Sequence, residues 1–162
     1  MTLTPEQHAL LSRAAQLSEE KMRAGCGGPF GALLADTQTH VIIAEGWNQV
    51  TSGNDPTAHA EISAIRAAAQ ALQRFDLSGL TLYTSCEPCP MCLAAAYWAR
   101  VDAIIYANTR QQAAQIGFDD EWIYQEVAKP IAQRSLPMRH APLKEAEAAF
   151  AHWREWAEKT PY

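Results

Sequence analysis

Residues 80 to 107 read Leu80-Thr-Leu-Tyr-Thr-Ser-Cys-Glu-Pro-Cys-Pro-Met-Cys-Leu-Ala-Ala-Ala-Tyr-Trp-Ala-Arg-Val-Asp-Ala-Ile-Ile-Tyr-Ala107, and the order of elements in this stretch decides the fold. Leu80 to Thr84 is a short run of aliphatic, aromatic and β-branched residues, the pattern of a buried strand. Pro90 opens a Gly-free, Ala-rich run to Ala99 that predicts a helix, with proline in the first turn, where its missing N–H has no partner to lose. Asp102 to Ala107 predicts a second strand. Strand, helix and strand with short joins make a βαβ unit, which implies parallel pairing.

Upstream, Ala9, Leu10, Ala14, Leu17 and Met22 recur at helical spacing between Pro5 and Ala24, after Thr4 as N-cap and Pro5 in the first turn. Gly25, Gly27, Gly28 and Pro29 stop that helix. The runs Phe30 to Ala35 and Val41 to Ala44 then predict a β-hairpin. Residues 46 to 57 are polar and rich in turn formers, a loop feeding a helix from Ala58 to about Gln73 with Thr57 as its cap. Downstream, helices are expected at 109 to 116, 119 to 127 and 143 to 159, around a Pro-punctuated stretch from 130 to 142. This last third reads as a cap on the sheet. One α/β domain over 1–162, with helices on both faces of the sheet, follows.

Composition agrees with a folded core: 48% of the 162 residues are hydrophobic, including five Trp, five Tyr and four Phe. The 13 Lys and Arg against 18 Asp and Glu leave a net charge of −5, which disfavours holding nucleic acid by phosphate neutralisation and favours a small or neutral partner. Met1 to Glu6 carries no basic stretch followed by an apolar core, and no apolar run approaches a membrane span. A cytoplasmic protein with no membrane contact is expected. Three of the four cysteines, Cys86, Cys89 and Cys92, crowd into seven residues, which suits a metal or redox site better than a disulfide framework.

Chemistry concentrates where two predicted helices begin. Cys89 and Cys92 are three apart and share a helix face, and His59 begins the other helix. Two thiolates and an imidazole suit Zn²⁺ and leave its fourth tetrahedral position open for water. Glu61, two residues after His59, diverges from the ligand direction but can approach that water as general acid/base, since zinc lowers the pKa of bound water to about 7. A redox CxxC or a pair of structural thiols is the plainer alternative. Cys86 leaves a further question open: as a third thiolate it would close the site and make it structural, whereas at the strand end it would only pack nearby.

The pairing of His59-Ala-Glu61 with Pro88-Cys89-Pro-Met-Cys92 is the zinc nucleobase deaminase pattern. Asn54-Asp-Pro-Thr-Ala-His-Ala-Glu-Ile62 and Leu82 to Leu93 resemble the cytidine/deoxycytidylate deaminase superfamily, especially its purine branch of guanine deaminases and tRNA adenosine deaminases. Gly28-Pro-Phe-Gly31, Tyr97-Trp-Ala-Arg100, Gly117-Phe-Asp-Asp120, Ile123-Tyr124 and the closing Tyr162 look like the bacterial-type guanine deaminases.

The resemblance implies a three-layer α/β/α cytidine-deaminase-like fold around a mixed sheet with a C-terminal helical segment, and one Zn²⁺ per subunit on His59, Cys89 and Cys92. It implies Glu61 as the proton carrier and Asp120 as the carboxylate contacting the amino group at C2 of guanine. Asn48 is implied as a base contact, Phe30 and Trp98 as aromatics facing the base. It further implies a homodimer in which the segment from about 119 to 162 is exchanged, so that Asp120 and Tyr162 of a neighbouring chain complete each site. The expected reaction is hydrolysis of guanine to xanthine and ammonia in purine metabolism. A tRNA adenosine deaminase and a non-catalytic zinc-stabilised module are the competitors. The former should show a basic surface, whereas the last predicted helix sets Lys144, Arg154 and Lys159 against Glu145, Glu147, Glu155 and Glu158.

Overall fold

The computed structural model describes residues 2–162; Met1, the first residue of the segment read for a leader, lies outside them. Helix α1 (Pro5–Arg23) starts at Thr4, whose hydroxyl accepts from the Gln7 N–H while the Gln7 side chain accepts from the Thr4 N–H, a reciprocal cap that satisfies two of the helix-end donors. Strands β1 (Gly31–Asp36) and β2 (Ile42–Trp47) form the expected antiparallel hairpin. One helical turn, α2 (Val50–Gly53), interrupts the loop expected over 46 to 57. Helix α3 (Ala60–Leu72) begins two residues later than expected: His59 occupies the N-cap, and the Thr57 hydroxyl instead donates to Asp55 at 2.7 Å.

Strand β3 (Leu80–Cys86), helix α4 (Pro90–Ala99) and strand β4 (Ala103–Asn108) are the βαβ unit, with β3 and β4 parallel. Short helices α5 (Arg110–Gln115) and α6 (Asp120–Ala128), a 3₁₀ turn (Ile131–Gln133) and α7 (Lys144–Glu155) follow. Among the described residues no helix is long and apolar enough to cross a membrane.

The sheet order is β2-β1-β3-β4, mixed because β1 runs antiparallel to both of its neighbours. Alternation along β1 sends Leu33 and Ala35, with Tyr83, against Leu10 and Ala14 of α1. Ala32 and Leu34, with Leu82, pack against Ala60, Ala64 and Ala68 of α3 and Ala96 and Ala99 of α4. The three-layer architecture implied by the sequence is thus observed. The alanines let α3 lie almost on the backbone of β2: a Cβ at Gly46 would stand 2.4 Å from the Ala60 carbonyl oxygen and 2.3 Å from the Ala64 nitrogen. Any side chain there would lift the helix that begins at His59.

Register sets what meets at one end of the sheet. Ala32 pairs with Thr84 and Gly31 with Trp47, so Phe30 and Asn48 lie just beyond the strands beside Cys86, and Cys86 itself pairs with Asn108. The starts of α3, α4 and α5 come to this same end. Ligands of α/β sheets bind outside the carboxyl ends of parallel strands, and this is that end of β3 and β4.

The C-terminal third does not cap its own sheet as expected. None of the residues of α7 is buried, and Phe150 is 78% exposed. Phe150 and Trp153 of α7 instead line a shallow hollow with Trp98 and Tyr162 at the outer face of α4. The chain leaves α6 through a polar clamp in which Glu126 accepts from the Ser135 N–H (2.7 Å) and hydroxyl (2.8 Å) and pairs with Lys129. These partners, Lys129 foremost, hold the Glu126 carboxyl down at about 2.

Candidate active site

A cavity of about 290 Å³ opens at the sheet end, between the starts of α3 and α6. His59 and Cys89 are both N-cap residues with extended backbone, and neither makes a side-chain cap bond, so both side chains are free to turn toward each other. The His59 Nδ1 lies 3.6 Å from the Cys89 Sγ and 3.6 Å from the Cys92 Sγ. Bond lengths of 2.0–2.1 Å to nitrogen and 2.3 Å to sulfur at tetrahedral angles place such atoms about 3.6 Å apart, so this donor set fits a zinc ion. His59, Cys89 and Cys92 form the group of metal-competent side chains among the described residues, with ligand atoms all within 4.8 Å. Cys86 is outside it. Its Sγ points to the Thr109 carbonyl at 3.7 Å, and burial pushes its thiol up to about 12, so it stays a neutral packed thiol.

The electrostatics of the cluster call for a cation. The Cys92 thiol and then the His59 ring stabilise a thiolate on Cys89, depressing it to about 4. The same contact, with burial, drives Cys92 strongly upward. Two thiolates at this spacing need a positive charge between them.

Glu61 is buried beneath the cluster, one residue into α3, and accepts from the Thr84 hydroxyl at 3.4 Å. Burial first, reinforced by the negative charge of Cys89, raises its carboxyl above the ordinary value. A carboxyl raised in this way is suited to take and return a proton. Asp120, in the first turn of α6, lines the same cavity, half-buried, with its carboxyl raised by desolvation and by Cys89. It does so from its own chain. In the single chain α6 packs on α4 and α5.

Asn48 is buried with a fixed orientation. Its Oδ1 accepts from the Gly28 N–H (3.1 Å) and the Val50 N–H (3.3 Å), and among the described residues nothing accepts from its Nδ2. The sequence allowed Asn48 either edge of the amide; the loop engages the acceptor and leaves the donor for the cavity. Gly27 enforces this, since a Cβ there would stand 2.2 Å from the Asn48 carbonyl oxygen.

Phe30 lines the cavity, edge-on to Phe118 at 4.6 Å between centroids. Phe118, within Gly117-Phe-Asp-Asp120, also lines the cavity, a role that no spacing signal in the sequence marks. Trp98 and Tyr162 do not line this cavity. Trp98 is 64% exposed on the outer face of α4 and packs with Tyr162 at 5.9 Å between centroids. Six residues beyond Cys92, it sits about 9 Å along the helix and well around its axis, so it cannot share the direction of the buried thiol. Glu87 accepts from the Arg110 N–H at 3.1 Å, at the start of α5.

Comparison with known proteins places this geometry among relatives. The cytidine and deoxycytidylate deaminase zinc-binding region matches residues 5–108. The guanine deaminase of Bacillus subtilis (strain 168) is 50% identical over 152 residues, covering 94% of this chain and 96% of that protein. The X-ray structure of guanine deaminase from B. subtilis superposes with a TM-score of 0.91 at 48% identity, covering 99% of each chain. A tRNA-specific adenosine deaminase of Haemophilus influenzae is 40% identical over 97 residues, 57% of this chain and 56% of that one.

Proposed function

The chain belongs to the cytidine and deoxycytidylate deaminase zinc-binding family, and from that membership we propose that it hydrolyses guanine to xanthine and ammonia as a step of purine metabolism. The observation that carries the substrate assignment is the opposed polarity of two groups lining one cavity: buried Asn48 presents only a donor and half-buried Asp120 an acceptor. Guanine answers both, with an acceptor at O6 and donors at N1 and the 2-amino group. Placed with C2 toward the metal side, adenine offers neither an amino group to the carboxylate nor an acceptor at C6 to Asn48. Such mismatches cost orders of magnitude in discrimination.

Zinc held by His59, Cys89 and Cys92, one per chain, would supply a water acidified toward neutrality. Glu61 would carry both protons of the attacking water, the first to a ring nitrogen as its oxygen bonds to C2 and the second to the amino group as the C2–N bond breaks, so that guanine and water leave as xanthine and ammonia. Asp120 holds the 2-amino group so that C2 faces the metal side of the cavity, and Phe30 bounds the ring plane. Free thiols on all four cysteines are compatible with the reducing cytoplasm, where we place the reaction.

Ammonia release should be measured across free bases and an anticodon stem-loop. Guanine turnover is expected, without turnover of adenine, cytosine or the stem-loop adenosine; the stem-loop as sole substrate would overturn the reading. Asp120→Ala should lower guanine turnover while leaving zinc content and melting temperature near wild type. Gly27→Ala is expected to displace Asn48 and lower kcat/KM for guanine about 10- to 100-fold, because small misplacements of positioning groups are costly. A Gly27→Ala enzyme of wild-type efficiency would remove Asn48 from the binding role.

We further place the unburied α7 against a second subunit, as a homodimer exchanging the segment that follows α6. Its exposed Phe150, Trp153 and Trp156 support this, since such an apolar face favours burial. Tyr162 of the exchanged tail would then close the partner's cavity. Light scattering should give a dimer, and truncation before Pro161 should reduce guanine turnover. A fully active monomer would exclude the exchange.

A further inference from the structure

Asp120 makes no side-chain hydrogen bond among the described residues, so its place in the cavity depends on how α6 is docked. Two contacts tie α6 to the turn that carries the metal-competent thiols. The Tyr124 hydroxyl donates to the Pro88 carbonyl at 2.8 Å, and Pro88 directly precedes Cys89. Tyr124 is one helical turn beyond Asp120 and therefore on the same face of α6. Arg110 supplies the second tie. Its guanidinium lies 4.3 Å over the Tyr124 ring, its Nε is 2.8 Å from the Glu121 carboxylate, and its Nη1 is 3.9 Å from Glu87. Glu87 also accepts from the Arg110 N–H, so one arginine joins α5, α6 and the Glu87-Pro88 turn.

We propose that Tyr124 is a positioning residue for the Asp120 carboxylate: its hydroxyl, anchored on the Pro88 carbonyl and backed by the Arg110 guanidinium, sets the distance between Asp120 and the Cys89 turn. This rests on the guanine reading above, in which Asp120 grips the 2-amino group. The metal-bearing turn and the carboxylate belong to different helices, and without a tie between them α6 could shift while each helix stayed intact. Tyr124 makes that spacing a property of one hydrogen bond.

The test is a double-mutant cycle on the zinc-loaded enzyme with guanine. Tyr124→Phe keeps the ring under Arg110 and removes only the hydroxyl. It should leave zinc content and melting temperature unchanged and lower kcat/KM about three- to tenfold, the range of one neutral hydrogen bond. The loss should fall mainly on KM, because Asp120 grips the ring already in the ground state. In an Asp120→Asn background the same change should cost less than twofold, since the group it positions is gone. Arg110→Lys, which keeps charge but loses the planar stack, should act in the same direction and serves if Tyr124→Phe folds poorly.

An equal loss in both backgrounds, or no loss in either, overturns the positioning role. An Asp120→Asn enzyme of wild-type efficiency removes the carboxylate's role and the proposal with it, whereas a wild-type enzyme inert toward guanine overturns the function itself.

Discussion

Glu61→Gln is expected to keep the fold and one zinc per chain while lowering kcat by roughly 10² to 10⁴-fold, the usual contribution of a positioned acid/base group. The amide has the size and shape of the carboxyl and can still accept from the Thr84 hydroxyl, so the start of α3 need not move. It cannot take a proton and return it. The carboxyl is suited to that task by its place: buried at the cavity wall, it is raised by desolvation above the ordinary carboxylate value. Ammonia release with guanine, together with zinc analysis, checks the result. Near-normal turnover would remove the proton-carrying role from Glu61 and require another acid/base group in the cavity.

Cys89→Ser should lose zinc to trace levels and lose activity with it, whereas Cys86→Ser should keep stoichiometric metal and most activity. The two thiols are three residues apart but face different partners: Cys89 faces His59 at 3.6 Å and Cys86 faces a backbone carbonyl at 3.7 Å. Removing one of three donors leaves two, too few for tight zinc binding. The effect should extend to stability, since a metal that binds only the folded state adds its binding free energy to folding. The melting temperature of Cys89→Ser, or of the wild type after exhaustive chelation, should therefore fall, and added Zn²⁺ should restore only the wild type. A metal-free Cys86→Ser variant would reverse the ligand assignment and describe a closed site.

The tie between Tyr124 and Pro88 bears on how such a site can be altered. Asn48 and Asp120 recognise through polarity, but one hangs from the loop after β2 and the other from α6. Substitutions that change the docking of α6 should move specificity without touching the metal. Changes around Gly27 should act on Asn48 alone. The two sides of the cavity are then separable by mutation, and cycles between Gly27→Ala and Tyr124→Phe should be close to additive.

The sequence by itself determined the parts that rest on local geometry. Helix periodicity, the Thr4 cap and the prolines place most elements within a few residues. The spacing of Cys89 and Cys92 on one helix, with His59 at the start of another, points to a shared metal because residues three apart on a helix must face the same way. The βαβ order likewise demands a parallel pair, and the detailed likeness of the motifs identifies the family.

What depended on long-range register could be decided only by the tertiary structure. His59 displaces Thr57 as the cap because the loop engages Thr57 with Asp55. The free edge of Asn48 follows from two backbone amides, one of them twenty residues upstream. Trp98 turns away from the cavity, since the direction of a side chain depends on how its helix is rotated against the sheet. Finally, an apolar stripe on α7 states that a face favours burial without saying where. Only the assembled structure shows that this face stays largely exposed on its own chain.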